Sequence, residues 1–465
     1  MENNEIKLSR WSHFFFLEET VAVYHALSMF VLFIEKEKGY QLLDLKDENV
    51  SMELLLNIVN EDELEILLQN DIFVKNSDYD LRQIINLREL LVKDTKLDLM
   101  YLLLTDNCNM KCRYCFEDTP KKPINFQESM MSEETAVKSI DFFARVTRKY
   151  GREGSKKVIH LYGGEPLLNP RALKAAVLRV EELKISGGLP GNSEVILITN
   201  GLLLTDELAK FLSIHGVSMG LSIDGPKHIN NIHRLAKDVG IDVFARVFKA
   251  YNLAVNNGIT VGLSATLTPE VVNNFPEVLD YFINNLKIKD GLSFNILHFN
   301  PSVPVDENYF QKAAECLIKA FEQFRKLNIY EERMMRKVKA FVDQEAMLAD
   351  CGIVGNQVVI APDGQVGACQ DFVKPRTYFN GSIYNEKYDP VVSGLFSEWE
   401  RRSPLFMEGC FDCEAVAICG GGCPASVELK TGNRWNVDKR ICPHSKKTLS
   451  WLISESYKNI ISENV

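Results

Sequence analysis

Three cysteines that follow an apolar segment constrain the fold and chemistry of this chain more than any other feature of its sequence. Cys108, Cys112 and Cys115 have the spacing C-x3-C-x2-C and come directly after the strand-like run 99–104. Because a [4Fe-4S] cluster has four iron corners and normally takes four thiolates, this loop predicts a cluster with one iron open to another ligand. The other interpretation is a structural zinc site. Such sites usually show paired C-x2-C units or added histidines, and the sequence has neither near this loop.

The same loop resembles that of the radical S-adenosylmethionine (SAM) enzymes, because Tyr114 places an aromatic residue directly before the third cysteine. The resemblance implies that the open iron chelates the amino and carboxylate groups of SAM. It further implies that an electron from the cluster cleaves SAM to a 5'-deoxyadenosyl radical. Tyr114 would then belong to the SAM site, and a reduced flavodoxin or ferredoxin-type protein would be the electron donor.

Further matches to this family lie where short apolar runs end. The runs 158–162, 195–198 and 217–221 end in glycine or polar residues, and α/β sheets place their ligands at such strand ends. By resemblance, the SAM-binding residues are Gly163, Gly164, Glu165, Asn200, Ser222, Asp224 and Arg234. Glu165 would receive the SAM amino group, Arg234 would pair with the SAM carboxylate, and the glycines would let the backbone approach the ligand. A solvated helix face is the alternative for Arg234.

Helix-like stretches at 132–150 and 170–183 alternate with these runs, and a repeated strand–helix order predicts a parallel sheet wrapped by helices. About six such units fit between residues 95 and 300, fewer than the eight of a closed barrel. The predicted fold class is therefore α/β, with a partial (β/α)6 TIM-type barrel that is open on one side. The fold of the resembled family agrees, and an open side would admit a large substrate.

A second group of cysteines lies near the C-terminus. Its members, in the register of the SPASM extension found on radical SAM enzymes that act on peptides and proteins, are Cys351, Cys369, Cys410, Cys413, Cys419, Cys423 and Cys442. By resemblance, Cys351, Cys369 and Cys423 (auxiliary set I) hold one [4Fe-4S] cluster. The other four (auxiliary set II) would hold a second, for three clusters in all. Two zinc sites are the alternative.

Seven thiolates cannot fill the eight corners of two such clusters, so auxiliary set I lacks one ligand. An open iron there could bind and deprotonate a substrate thiol. A histidine, a carboxylate or water could fill the corner instead, and the sequence leaves these alternatives open. The remaining cysteine, Cys316, lies in a helix-like stretch and is predicted to be a buried structural thiol.

Residues 1–92 contain no cysteine. Apolar runs at 11–17 and 21–27 predict a β-hairpin, and the segments 52–59 and 61–69 have helical periodicity. This layout resembles the winged-helix recognition element of enzymes that modify ribosomally synthesised peptides (RiPPs), which binds a peptide leader as an added edge strand. A structural cap over the barrel is the alternative. The predicted domains are thus a peptide-binding domain at 1–92, the barrel at 93–300, a helical bridge at 301–350 and a SPASM domain at 351–465.

Composition is consistent with an enzyme of the reducing cytoplasm. The 465 residues carry eleven cysteines and a formal net charge of −10, with no dense basic stretch, so nucleic acid is not expected as a partner. The sequence shows no signal peptide and no run of membrane-spanning length, so neither secretion nor a membrane partner is expected.

The predicted function is therefore radical SAM maturation of a ribosomal precursor peptide by a thioether or carbon–carbon crosslink. Asp371, two residues after Cys369, is the candidate catalytic base, with a helix cap or a solvated carboxylate as the alternatives. Sulfatase-maturing members of the family carry an aspartate directly after the equivalent cysteine, where this chain has Gln370. Formylglycine formation on a sulfatase is the first alternative function, and a non-catalytic electron-transfer protein is the second.

Overall fold

The computed structural model describes residues 5–75, 77–92, 96–116 and 129–463. The strands are β1 Glu5–Leu8, β2 Ser12–Phe16, β3 Thr20–His25, β4 Val31–Glu35, β5 Val50–Ser51, β6 Phe73–Val74, β7 Leu99–Leu103, β8 Val158–Tyr162, β9 Glu194–Thr199, β10 Ser218–Ser222, β11 Val261–Leu267, β12 Gly291–Ile296, β13 Gln357–Ile360, β14 Gln365–Gly367 and β15 Phe379–Ser382. The helices are α1 Lys36–Asp44, α2 Met52–Leu56, α3 Glu61–Gln69, α4 Ser77–Val92, α5 Glu133–Tyr150, α6 Pro170–Ser186, α7 Asp206–Ile214, α8 Lys227–His233, α9 Val243–Asn256, α10 Pro269–Asn273, α11 Phe275–Asp280, α12 Glu307–Lys326, α13 Glu332–Asp343, α14 Val416–Cys419, α15 Pro424–Thr431 and α16 Cys442–Glu463.

Six parallel strands, β7 to β12, form the centre of the fold and lie side by side in chain order. Alternate residues along them are buried, as in β11, because helices such as α5, α6 and α9 cover the outer face. The helices begin at side-chain caps, for example Ser132 before α5 and Thr205 before α7. The sequence prediction of an α/β partial barrel with six units is confirmed.

The C-terminal region extends the sheet of the barrel. Strand β13 pairs in parallel with β7, and β14 and β15 follow as antiparallel neighbours. The sheet therefore continues across the domain boundary predicted at residue 351. Cys351 precedes β13 and Cys369 follows β14, so this hairpin brings both cysteines to the same end of the strand pair.

The N-terminal region contains the predicted hairpin, β2 with β3, and a third strand, β4, on the other side of β3. A second small sheet has the order β5-β1-β6. One face of β3, with Val21 and Val23, packs against α1 and the helices that follow. The opposite face, with Ala22 and Tyr24, packs into a core that also contains Phe341 of α13 and residues of α14 and α16. The N-terminal region is thus docked on the C-terminal region by apolar contacts.

Candidate functional site

The loop with the first three cysteines follows β7 and is held in place by backbone hydrogen bonds to the last residue of α8 and to the segment after it. Lys111 N–H donates to the carbonyl of Leu235 at 2.8 Å, and Arg113 N–H donates to that of His233 at 3.0 Å. None of the three cysteines is in a disulfide. The loop therefore keeps its thiols at the carboxyl end of the barrel strands and next to Arg234.

Gly163 and Gly164, at the end of β8, allow two backbone segments to approach each other closely. Gly163 has φ +138°, and a Cβ added at Gly164 would lie 2.3 Å from the carbonyl oxygen of Asn107. Glu165 N–H donates to that same carbonyl at 2.8 Å. The close approach that the structure shows at these glycines is to the cysteine loop, where the sequence predicted an approach to a ligand.

Glu165 is buried, and its carboxylate joins two strand ends. Oε1 accepts hydrogen bonds from the Thr199 hydroxyl at 2.6 Å and from Leu167 N–H at 3.0 Å, while Oε2 accepts one from Asn200 N–H at 2.8 Å. Burial raises the pKa of Glu165 although these donors act in the opposite direction. The carboxylate therefore fixes the loop after β9 beside the cysteine loop, and this holds whether or not it also receives an amino group.

Tyr114, Asp224 and Arg234 form a buried polar group beside the cysteine loop. The Tyr114 hydroxyl donates to Asp224 Oδ2 at 2.6 Å and accepts a hydrogen bond from Arg234 Nη1 at 2.8 Å. Asp224 Oδ1 accepts a hydrogen bond from Thr266 N–H at 2.9 Å, which ties the group to β11. Burial raises the pKa of Asp224 against the effect of Arg234 and these hydrogen bonds.

Arg234 does not lie on a solvated helix face, because it is buried with 6% of its surface exposed. Burial alone would lower its pKa, but Tyr114, Cys112 and Asp224 raise it above the usual value, so the guanidinium stays charged. Its Nε is buried and makes no hydrogen bond to the residues that the structure describes. A fixed cation with a spare donor fits the carboxylate of SAM, which is the role that the resemblance implies.

Asn200 and Ser222 occupy neighbouring strand ends of the same site. The Asn200 amide donates to Asn109 Oδ1 at 2.8 Å and lies 3.9 Å from the Cys108 sulfur. Ser222 ends β10 and pairs with Ser264 of β11. Of the seven residues predicted to bind SAM, all but Ser222 contact the segment 105–114, which includes Tyr114, and Ser222 lies at a neighbouring strand end. The structure fits the group that the loop implies, SAM on a three-cysteine cluster.

The C-terminal cysteines form two separate groups. The four thiols of auxiliary set II line one cavity of about 350 Å³. In auxiliary set I, burial raises the pKa of Cys369, and the neighbouring Asp371, Cys351 and Cys423 raise it further. Three consecutive glycines between Cys419 and Cys423 have φ of +67°, +83° and +70°, and this left-handed turn sends the two cysteines to different groups.

Buried cations surround the two auxiliary sets, and sequence reasoning did not identify them. Lys337 of α13 is buried beside Cys419 and donates to the carbonyl of Ile418 at 2.9 Å and to Ser445 Oγ at 3.0 Å. Arg402 is buried near thiols of both sets. Burial lowers the pKa of each cation, and neighbouring anionic groups act in the opposite direction and raise it. Cations in these positions fit two anionic thiolate-ligated clusters.

Asp371 lies with auxiliary set I. It sits on a short turn, Gln370–Phe372, and its side chain is 6% exposed, so it is neither a helix cap nor a solvated carboxylate. Its Oδ2 lies 3.9 Å from His298 Nδ1, and ligand atoms of His298, Asp371 and Cys423 lie within 4.8 Å of one another.

Cys316 is buried in α12, and burial raises its pKa to about 12, as expected for a structural thiol.

Known proteins are similar to this chain over most of its length. Residues 102–282 match the model of the radical SAM superfamily. The radical SAM cyclopropyl synthase TigE of Paramaledivibacter caminithermalis is 24% identical over 382 residues, which cover 78% of this chain and 75% of that protein. The cysteine-type anaerobic sulfatase-maturating enzyme of Clostridium perfringens is 26% identical over 354 residues, covering 70% of this chain and 88% of that enzyme.

Among solved structures, Streptococcus suis SuiB bound to the precursor peptide SuiA has a TM-score of 0.52 at 15% identity. The match covers 94% of this chain and 99% of SuiB. SuiB has also been solved with S-adenosylmethionine. At this identity the likeness concerns the fold.

In the part of the chain that the structure describes, no helix is both long and apolar enough to cross a membrane.

Proposed function

Because this chain belongs to the radical SAM enzymes of the SPASM type, we propose that it is a maturase that installs a thioether or carbon–carbon crosslink in a ribosomally made precursor peptide. The cluster and SAM, when bound, would supply the 5'-deoxyadenosyl radical that takes a hydrogen atom from a peptide residue. A second hydrogen leaves the peptide as a proton and an electron when the crosslink closes. Each crosslink therefore removes two hydrogens from the peptide.

The residues of the barrel would bind and orient SAM. Arg234 would pair with the SAM carboxylate through its buried Nε, while Tyr114 and Asp224 hold the guanidinium in place. Asn200 and Ser222, at neighbouring strand ends, would line the rest of the site. The two auxiliary sets would each hold a [4Fe-4S] cluster and accept the electron that leaves the peptide. A flavodoxin or ferredoxin-type protein would supply the electron that SAM cleavage needs.

The proposal of a peptide substrate rests on the structure of the N-terminal domain. Its three-stranded sheet packs on both faces, but the outer edges of β2 and β4 pair with no other strand that the structure describes. His25 N–H donates to the carbonyl of Phe30, so the backbone groups of Val31 and Phe33 point away from β3. Such an edge can accept a peptide leader as an added strand.

The position of this domain supports the same proposal. Arg10 forms an ion pair with Asp412 at 2.6 Å, and Arg88 Nε donates to the carbonyl of Leu405 at 2.7 Å, so the domain lies beside auxiliary set II. The structural match to SuiB covers all but 6% of this chain, which is about 28 of its 465 residues. It therefore includes most of residues 1–92. The relative was solved with a precursor peptide, which supports a peptide substrate here.

Formylglycine formation on a sulfatase is the second candidate, because a sulfatase-maturating enzyme is 26% identical to this chain. This candidate gives residues 1–92 no role.

The test uses the full-length chain, anaerobically loaded with iron and sulfide, together with SAM, a reductant and the small ribosomal peptides of the source cell. We expect 5'-deoxyadenosine release and loss of about two mass units per crosslink from one peptide, and neither with Cys112→Ala. Modification of a cysteine or serine peptide from a sulfatase to an aldehyde, with every ribosomal peptide unchanged, would support the second candidate instead.

A further inference from the structure

The cysteine loop and the end of α8 form a short two-stranded ribbon. Met110 and Ala236 form an antiparallel bridge, and the N–H of Lys237 donates back to the cysteine loop at 2.9 Å. Together with the hydrogen bonds that hold the loop to the end of α8, these contacts pair the segment 109–113 with 233–237. Because side chains alternate between the two faces of a paired segment, the ribbon has an inner and an outer face.

The two faces of the ribbon carry different residues. The inner face carries Cys112, which is half-buried, and Arg234, which is buried in the SAM site. The outer face carries Lys111, Arg113 and Lys237, and all three are exposed. A cluster on the cysteine loop would therefore lie directly behind the ribbon, separated from solvent by a single backbone layer.

The outer face is a local concentration of positive charge on an acidic chain. None of its three cations forms an ion pair with a residue that the structure describes, and Lys237 Nζ makes one long hydrogen bond, to Asn107 Oδ1 at 3.5 Å. Asp238 is the one acidic residue within 109–113 and 233–238. The whole chain has a formal net charge of −10, so an acidic protein is repelled by the molecule as a whole and attracted to this face.

We infer that the outer face of this ribbon is the docking surface for the electron donor, an acidic one-electron carrier protein of the flavodoxin or ferredoxin type. The inference deepens the proposed function, since it rests on that function's assignment of a [4Fe-4S] cluster to the cysteine loop. One electron passes from the donor's cofactor to the cluster, so the donor is oxidised as the cluster is reduced. The docked cofactors are close, because only the ribbon lies between them.

Apolar surface adjoins the three cations. Val239, two residues after Lys237, is 99% exposed, and Ile241 is 36% exposed. Electron-transfer complexes bury little area and must dissociate after each turnover. A small apolar surface beside steering charges suits such a transient complex.

The surface over auxiliary set II is the rival entry point for electrons, and its charges have the opposite sign. Glu408 and Asp412 line the cavity that holds its four thiols. The cations nearby are already paired, since Lys446 binds Glu414 at 2.9 Å and Arg10 binds Asp412 at 2.6 Å. An acidic donor would meet carboxylates there, whereas the ribbon offers it unpaired cations.

The test measures donor binding and SAM cleavage and needs no peptide. The ribbon variant combines Lys111→Gln, Arg113→Gln and Lys237→Gln, which keep every backbone N–H of the ribbon. A flavodoxin and a ferredoxin, both acidic and reduced, are each tested with the iron-loaded chain for affinity by fluorescence anisotropy and for 5'-deoxyadenosine release.

For the donor that drives the faster cleavage, we expect the ribbon variant to bind roughly 10-fold more weakly and to cleave SAM correspondingly more slowly. Iron content and cleavage driven by dithionite should not change. The difference between the variant and the unmodified chain should shrink as salt rises from about 0.01 M to about 0.15 M, because the Debye length falls from about 30 Å to about 8 Å.

The matched control combines Lys287→Gln, Lys289→Gln and Lys326→Gln. These lysines are exposed and lie before β12 or in the last turn of α12, so the control loses the same charge away from the ribbon. Its donor affinity and donor-driven cleavage should match those of the unmodified chain. Equal weakening in the control, or an unchanged ribbon variant with both donors, would overturn the inference.

If the ribbon variant loses iron, Lys237→Glu alone decides, because Lys237 lies outside the cysteine loop; unchanged donor affinity in that variant would overturn the inference. Weaker binding of a captured precursor peptide, with donor binding unchanged, would assign the surface to an acidic leader peptide and would also overturn it. Failure of the proposed function appears separately, as an unmodified chain that cleaves no SAM with dithionite or changes no peptide, and leaves the comparison of donor affinities intact.

Discussion

Arg234→Lys tests the proposed partner of the SAM carboxylate, for which the sequence left a solvated helix face as the alternative. Lysine keeps the positive charge but loses the planar fork of the guanidinium and the buried Nε. If Nε donates to the SAM carboxylate, the substitution removes a charge-assisted hydrogen bond worth about 1.5–3 kcal/mol. That energy corresponds to SAM binding roughly 10- to 150-fold weaker.

The assay is anaerobic equilibrium dialysis of SAM against the iron-loaded protein, with iron content measured on the same samples. Arg113→Lys is the matched control, because Arg113 lies in the same loop but is exposed and contributes only its backbone N–H to the loop anchor. We expect the control to bind SAM like the unmodified chain. Unchanged SAM affinity in Arg234→Lys, at equal iron content, would refute the assignment of the carboxylate partner.

Three further predictions concern the cysteine loop, the barrel and the N-terminal edge. Gly164→Ala should reduce iron at the first cluster, because its Cβ would lie 2.3 Å from a backbone oxygen, whereas Gly191→Ala, with nothing within 4 Å, should retain full iron content. Lys157→Met should lower the free energy of unfolding by about 1.5–3 kcal/mol, since the buried Asp98 loses its 2.6 Å partner but keeps Arg152 at 2.7 Å. Burial raises the pKa of Asp98, but hydrogen bonds from donors that include Lys157 outweigh it, so the folded pKa is lower than usual. The stabilisation by the Lys157–Asp98 pair is therefore full above the unfolded pKa near 4 and is lost as pH falls through the lower folded pKa. Urea unfolding at a series of pH values checks this dependence. Val31→Pro should weaken binding of a captured precursor peptide if β4 is the docking edge, because proline removes a backbone N–H from that edge. Fluorescence anisotropy would compare its affinity with that of Val31→Thr, and equal affinities would exclude β4 as the docking edge.

The barrel could be predicted from the sequence because its strands are short apolar runs that end in recognisable polar residues. Strand β8 has the predicted bounds, and β9 and β10 differ from theirs by one residue at each end. The pairing of β13 with β7 could not be predicted, since it joins residues 258 positions apart, such as Leu99 and Gln357, and depends on the assembled sheet. The strands β5 and β6 have two residues each and leave no periodic pattern.

The positions of the site residues were also predictable from strand ends, but their environments were not. A helix-terminal arginine has no local mark of burial, and Arg234 is buried where the cysteine loop is hydrogen-bonded to the end of α8. Lys337 lies in an amphipathic helix, where a lysine normally faces solvent, and its place beside Cys419 depends on the packing of α13 against α14. Asp371 was singled out by its spacing from Cys369, yet only the fold shows that ligand atoms of Asp371, Cys423 and His298 lie within 4.8 Å of one another.

The most direct test of the account is the coupling of SAM cleavage to modification of a peptide by the full-length chain. The iron-loaded enzyme is given reductant, SAM and a precursor peptide captured by the same protein, and 5'-deoxyadenosine and peptide mass are measured in the same reaction. The account predicts one 5'-deoxyadenosine for each crosslink and a loss of about two mass units from the peptide. SAM cleavage with no change in any ribosomal peptide, or no cleavage at all, would contradict it.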